Sequence, residues 1–397
     1  MLYNPRQITR YYGHQLSPPL RSVCAGDEIK ITGEEDEVKK AVNAVGCMLT
    51  VLKKGDNVNK DSIDRISDMV NDGTHNKITE ITDAKIIEQG ATTAPAHMLY
   101  DIVRKLSDSS EVELTFPDEK GQLSIASGRS KFSLSTIAVE DFPVISGDEL
   151  PTNFVMAKEE LKDVIDRTQF AVSTEETRYY LNGLYVHAKT EGQTNVLRIV
   201  ATDGHRLACV ESPLPAGAEK MNGVIVPRKT VAEVRKLLDD TKSENIAISL
   251  SENKIRFVLE DVTLTSKLID GTYPDYERVI PTDNDKILEI GVKELSSAVD
   301  RVSVVAERTR AIKLITGKNH VVLTTSSPDL GSALEELEAK YENDALEVGY
   351  NFRYLLDILS EIKGDNVKIS FSDGSSPSVI HDTSDASAIY VLMPMRV

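Results

Sequence analysis

The feature that most constrains this chain is a unit that recurs along it: an amphipathic helix, a polar turn, then strands of alternating apolar and polar residues. In "PAHMLYDIVRKLSDSSEVELTF", Leu99, Ile102, Val103 and Leu106 share one helix face, and Val112, Leu114 and Phe116 then alternate. "PRKTVAEVRKLLDDTKSENIAISL" repeats this with Val231, Val234, Leu237 and Leu238, then Ile246, Ile248 and Leu250; Pro227 is expected in the helix's first turn. "NFRYLLDILSEIKGDNVKISF" does so with Leu355, Ile358, Leu359 and Ile362, then Val367, Ile369 and Phe371. Two longer copies lie between. "AKEELKDVIDRTQFAV" carries Leu161, Val164 and Ile165, and "GVKELSSAVDRVSVV" carries Leu295, Val299 and Val302 before "HVVLTTSS". Five units in register from about residue 90 predict an α+β fold of repeated helix-plus-antiparallel-sheet modules, paired into domains.

The polar faces of these helices share a cationic bias: Lys158, Lys162 and Arg167; Arg228, Lys229, Arg235 and Lys236; Lys293 and Arg301; Arg353 and Lys363. Acidic neighbours (Glu159, Glu160, Asp166, Glu233, Asp357) are interspersed, so ordinary solvated faces explain part of it. Helices lining one concave surface would instead add up to a phosphate-attracting wall that reads no bases. The net charge of −17 over 397 residues argues against a generally basic nucleic-acid binder, yet leaves room for such a local surface. No apolar run reaches about 18 residues, and "MLYNPRQITRYYGH" lacks the apolar core of a secretory signal. Cys24, Cys47 and Cys209 are odd in number and scattered, which suits a reducing cytoplasm better than a disulfide framework.

Catalysis finds little support. His14, His75, His97, His187, His205, His320 and His381 form no metal-ligand spacing, and no nucleophile elbow or phosphate-cradling G-x-x-x-x-G-K-[ST] loop occurs. Asp203 and His205 in "ATDGHRLA" could be a carboxylate–histidine pair, but no nucleophile is evident beside them. The expectation is a non-enzyme without cofactor or metal.

The motifs "QGATTAPAHMLYDIVRKL", "SGRSKFSLST", "TRYYLNG", "ATDGHRLA", "VPRK", "TSKLIDGTYPDYERVIP" and "YVLMPMRV" resemble, in order and spacing from about Thr82 to Val397, the bacterial DNA polymerase III β subunit, the sliding-clamp family. The resemblance implies a head-to-tail homodimeric ring of three-domain protomers that encircles double-stranded DNA without reading sequence. It also implies a pocket for short peptides carried by the polymerase III α subunit, the clamp loader δ subunit and other clamp-binding proteins. Matched residue by residue, the pocket comprises Leu181, Thr202, Gly204, His205, Arg206, Leu207, Pro274, Arg278, Val279, Ser378, Val391, Met393, Pro394, Met395 and Arg396. Methionines suit varied apolar partners, and Arg206, Arg278 and Arg396 suit polar or acidic peptide atoms. The competing reading of "VLMPM" is an ordinary last strand, which Val391 also fits. Arg178, Tyr179 and Tyr180, with Arg228 and Lys229, are the expected DNA contacts, although buried tyrosines are a competing reading. Arg129, Lys131 and Ser133, with Val304, are the expected dimer interface.

Residues 1–80 show no clamp motif and are expected as an atypical segment, followed by half of a first domain (81–148), a second domain (152–281) and a third (284–397). "AGDEIKITGEEDEVKKAVNAVGCML" reads as a strand (Ile29, Ile31), a turn at Gly33, and a helix with Val38, Ala41, Val42, Val45 and Leu49 inward. Residues 20–70 resemble the KH-like N-terminal region of PhoH-family proteins, but "TGEEDE" is too acidic for an RNA-clamping loop. A chain lacking half of one domain could bind peptides without closing a ring, and that is the alternative function.

Overall fold

The computed structural model describes residues 2–3, 20–22, 30–34, 46–52, 65–71, 76–83, 90–95, 98–99, 101–102, 105–106, 111–115, 121–138 and 149–396, apart from 192–193, 261 and 307–309. The chain divides into two units, Met1–Glu159 with Ala232–Leu268, and Glu160–Val231 with Ile269–Val397.

In the first unit, one antiparallel sheet runs Thr152–Ala157, Asn245–Leu250, Lys254–Leu259, Val262–Lys267, Asn76–Asp83, Arg65–Asn71, Gly46–Leu52 and Gly90–Ala94. The other ends on Glu111–Thr115, Gln122–Ser127 and the edge strand Ser130–Ser135. Ile246, Ile248 and Leu250 alternate inward as their period requires. The expected helix over Val38–Leu49 is corrected at its end. Gly46–Leu52 is a strand between Arg65–Asn71 and Gly90–Ala94, and its β-branched and apolar residues suit a pleated, paired surface. The rest of that expected helix lies outside the described residues. Gly33 is likewise no turn but a strand position opposite Val112.

In the second unit, an antiparallel sheet runs Val224–Pro227, Gly183–Glu191, Thr194–Thr202, Arg206–Pro213, Ala388–Leu392, Ser378–Asp382, Asn366–Phe371 and Lys286–Gly291. Sequence-distant strands Arg206–Pro213 and Ala388–Leu392 meet at its centre, with Leu207 opposite Val391 and Cys209 opposite Ile389. A second sheet runs Gly331–Glu338, His320–Ser327, Ala311–Gly317 and Glu347–Asn351.

Four of the five helices read from period are present: α1 (Lys158–Gln169), α2 (Arg228–Asp240), α3 (Val292–Ser303) and α4 (Phe352–Ser360). The first, expected with Leu99, Ile102, Val103 and Leu106 on one face, lies largely outside the described residues. Pro227 ends the strand before α2 rather than entering the helix. Leu161, Val164 and Ile165 of α1, Leu295, Val299 and Val302 of α3, and Leu355, Ile358 and Leu359 of α4 are buried, as their 3.6-residue spacing requires. Asn351 caps α4 by accepting from the Arg353 N–H at 3.1 Å. Two cations depart from the expected outer faces: Arg167 is buried, bonded to Asp163, Asp385 and Ser387, and Lys363 lies beyond the end of α4.

Leu355 is fully buried. Leu355→Ala is expected to cost about 2–5 kcal/mol, read as an earlier urea transition, whereas Leu355→Met should cost less than about 1.5 kcal/mol. Equal midpoints for the two variants would contradict this account of the core.

Candidate functional site

The sequence-predicted pocket residues fall entirely within the second unit, and the structure sorts them by depth. The turn Thr202–Arg206 joins two central strands and needs Gly204 at φ +86°, a conformation that side chains with a Cβ resist. A Cβ there would also lie 2.7 Å from the Arg178 Nη1. Asp203 holds the turn by accepting from the His205 and Arg206 N–H groups at 2.9 and 3.0 Å, and Thr202 donates to the Arg206 carbonyl at 2.7 Å. Asp203 therefore works as a turn-forming carboxylate, and His205 stacks on Tyr354, ring centroids 6.0 Å apart.

Arg206 departs most from expectation. Instead of presenting a cation to a ligand, it is buried: its guanidinium lies 4.3 Å from the Tyr354 ring centroid and 5.0 Å from that of Phe170. It donates to Asp203 at 3.2 Å, to the Phe170 carbonyl at 2.6 Å and to Asp357 of α4. The flat, five-donor group satisfies carboxylates and aromatic faces together, which a point-charge ammonium could not.

Leu181, Leu207 and Val391 are also buried, packed with Val200, Cys209, Ile225, Tyr273 and Tyr276. Ser378 is fully buried and bonded to the Tyr350 hydroxyl. These residues form a floor: Leu207, Ser378 and Val391 occupy inward strand positions, and Leu181 closes the 3-10 turn Glu176–Leu181. The surface above comes from Val279 (52 % exposed), Met393 (42 %) and Met395 (38 %), with exposed His205, Pro274, Arg278 and Arg396 and half-buried Pro394. The tail is pinned at two points: the Met393 N–H donates to the His205 carbonyl at 2.9 Å and the Met395 N–H to the Gly349 carbonyl at 2.8 Å.

Sequence reasoning missed the network that carries Arg278 and Val279. They lie on a 3-10 turn, Tyr276–Val279, whose first residue is buried. The Tyr276 hydroxyl sits 2.9 Å from His187 Nε2 and 3.2 Å from Arg198 Nη1. Arg198 also bonds Glu211 and Glu277, and Lys189 bonds Glu277. Tyr185 stacks on Tyr273 at 4.7 Å and on His187 at 4.8 Å. Burial above all, with Arg198 and Lys189 adding, holds the His187 imidazole below its ordinary pKa. Alternating polar residues in "YVHAKTE" were the available signal, but their partners are distant in sequence.

Elsewhere, Tyr179 is exposed while Tyr180 and Arg178 are half-buried, the latter paired with Glu175 at 3.1 Å. Arg228 and Lys229 are exposed at the start of α2. Arg129, Lys131 and Ser133 lie exposed on or beside the edge strand Ser130–Ser135, and Val304 is 71 % exposed at the end of α3. The sequence reading also missed Gly331–Glu338, an edge strand with Leu334 71 % exposed and Glu335 paired with Arg301. Among the described residues, no three His, Cys, Asp or Glu side chains are placed to hold a metal, and no helix is long and apolar enough to cross a membrane.

The N-terminal, central and C-terminal domains of the DNA polymerase III beta subunit match residues 53–146, 155–275 and 277–396. The first match reaches further upstream than the motifs beginning at Thr82. A beta sliding clamp of Caulobacter vibrioides is 43 % identical over 372 residues, covering 93 % of this chain and 97 % of its own. That of Escherichia coli K12 is 38 % identical over 78 % of this chain and 83 % of its own. A solved Caulobacter crescentus clamp aligns with TM-score 0.85 at 42 % identity, covering 93 % of this chain and 99 % of its own. A Bartonella birtlesii clamp bound to griselimycin aligns with TM-score 0.83 at 41 % identity, covering 93 % and 100 %.

Two outcomes follow from the site's electrostatics. Arg206→Ala removes the ion pairs to Asp203 and Asp357 and the bond to the Phe170 carbonyl, and should lower stability by about 1–3 kcal/mol, with little recovery in Arg206→Lys; thermal melts check both. The His187 pKa is lower folded than unfolded, so its contribution is complete above the ordinary value and lost as pH falls below it. Melting temperature should drop between pH 7 and 5 less steeply in His187→Gln than in the wild type; parallel curves would refute that.

Proposed function

The chain belongs to the bacterial DNA polymerase III beta subunit family, the sliding clamps, and on that premise we propose that two copies close into a ring around duplex DNA and dock partners at the Val279–Met393–Met395 surface. As a sliding clamp it is a non-catalytic processivity factor of DNA replication. The observation that carries the docking site is the tail, which leaves Met393 and Met395 exposed while both flanking backbone bonds are made. Flexible thioether side chains on a fixed backbone suit apolar anchors of differing shape. The polymerase α subunit and the clamp loader δ subunit are the partners in view, acting in the cytoplasm. The buried residues Leu181, Leu207, Ser378 and Val391 set the floor, and Arg206 sets its frame.

DNA contact falls to Tyr179, Arg178, Arg228 and Lys229. Exposed aromatics and cations take up phosphates and base faces without sequence preference. The ring is proposed to close head to tail between the edge strand Ser130–Ser135 and the third domain near Val304 and Gly331–Glu338. Arg129 and Lys131 mark one edge; Glu335, Glu336 and Glu338 mark the other. Opposite charge on two open edges favours pairing with a second copy over aggregation of like edges.

Met393→Ala should weaken binding of a clamp-binding peptide by about 1–3 kcal/mol, measured by calorimetry, with the fold unchanged; unaltered affinity removes the docking assignment. Lys131→Glu should shift sedimentation toward the monomer, and Glu335→Lys on the same chain should restore part of the dimer. A wild-type protein that sediments only as monomer at micromolar concentration overturns the ring.

A further inference from the structure

The C-terminal tail has a second side. A groove of about 370 Å³ is lined by Lys313, Glu347, Gly349, Gly374, Ser375 and Arg396, with Pro394 and Met395 as the wall it shares with the docking surface. Its floor is backbone. Glu347–Asn351 is the edge strand of its sheet, and the tail bonds that edge at Gly349. Gly374 lies so close to the Glu347 carbonyl that a Cβ would overlap it, so no side chain narrows the groove there.

The lining carries two cations and one carboxylate. Lys313 pairs with Glu347 at 3.1 Å, at an exposed site where such a pair is easily shared with an incoming anion. Arg396 is exposed at the tail's end. The neighbouring Asp373 is turned into its own loop, accepting from the Ser375 N–H at 2.7 Å and from the Ser375 hydroxyl, the Ser376 N–H and the Ser376 hydroxyl at 2.8 Å each. Those donors, led by the Ser375 N–H, hold its pKa down to about 2 and occupy its oxygens. A chain leaving the docking surface across Pro394 and Met395 therefore meets cations backed by bare backbone.

We propose that this groove receives an acidic segment flanking the apolar anchors of a docked peptide, with its carboxylates against Arg396 and Lys313. The inference rests on the docking site above and names the chemistry of the partner's flank.

The test compares a core clamp-binding peptide with the same peptide extended by an acidic flank, or by a neutral flank of equal length, at either end. Fluorescence anisotropy at low salt should show one acidic-flanked form binding about three- to fivefold tighter than the core, the size of one or two exposed ion pairs, with no gain from the neutral flank. Lys313→Glu and Ser375→Trp should each abolish that gain and leave core-peptide affinity unchanged. A gain that survives both variants, or that never appears in the wild type, overturns the groove assignment while the docking site stands. Failure of the wild type to bind the core peptide removes the docking site and the groove with it.

Discussion

The pairing of Arg206–Pro213 with Ala388–Leu392 is the constraint on which the second unit depends. It makes one continuous sheet out of strands far apart in sequence, so the Thr202–Arg206 turn and the C-terminal tail emerge at the same end. Arg206 then ties that turn to α4 through Asp357 and Tyr354. Of the proposed docking surface, His205 and Met393 are positioned from this joint, whereas Arg278 and Val279 are carried by the Tyr276 network. Met393 follows directly from the paired strand, and its N–H closes on the His205 carbonyl. A surface built from a tail gains precision when both ends of the tail are bonded, because less conformational freedom remains to be lost on binding.

Function here divides between rigid and exposed parts. Catalytic chemistry would call for a nucleophile beside Asp203 and His205, and the structure uses both for other purposes. Asp203 shapes the turn, and the His205 ring lies against Tyr354. Some of these cations are spent on pairing, with Arg235 bonded to Asp239 and Lys236 to Glu233 along α2, and Lys363, beyond the end of α4, to Asp163 of α1. Such pairs mute the attraction for phosphate without abolishing it. A clamp held by topology needs no more, since tight phosphate contacts would oppose sliding.

Much of the fold was legible because its signal is periodic. Leu295, Val299 and Val302, or Val367, Ile369 and Phe371, declare their faces by spacing alone. Leu49 fits the helical period of the preceding residues, but it belongs to the strand Gly46–Leu52, decided by partners at Arg65–Asn71 and Gly90–Ala94 that spacing does not show. The site was legible as a set of motifs but not in depth. Arg206 and Met393 look equally available in a string of letters, and only packing separates a buried frame from an exposed contact. The Tyr276–His187–Arg198 network was invisible for the same reason: its members lie on different strands and a distant turn.

The central claim is that the protein holds DNA by encircling it. Retention on DNA after loading at a nick, followed by gel filtration in moderate salt, tests this most directly. Protein should stay with a circular duplex and leave once a single cut linearises it. Equal loss from circular and linear DNA, or retention that survives linearisation of an unblocked duplex, would contradict the account.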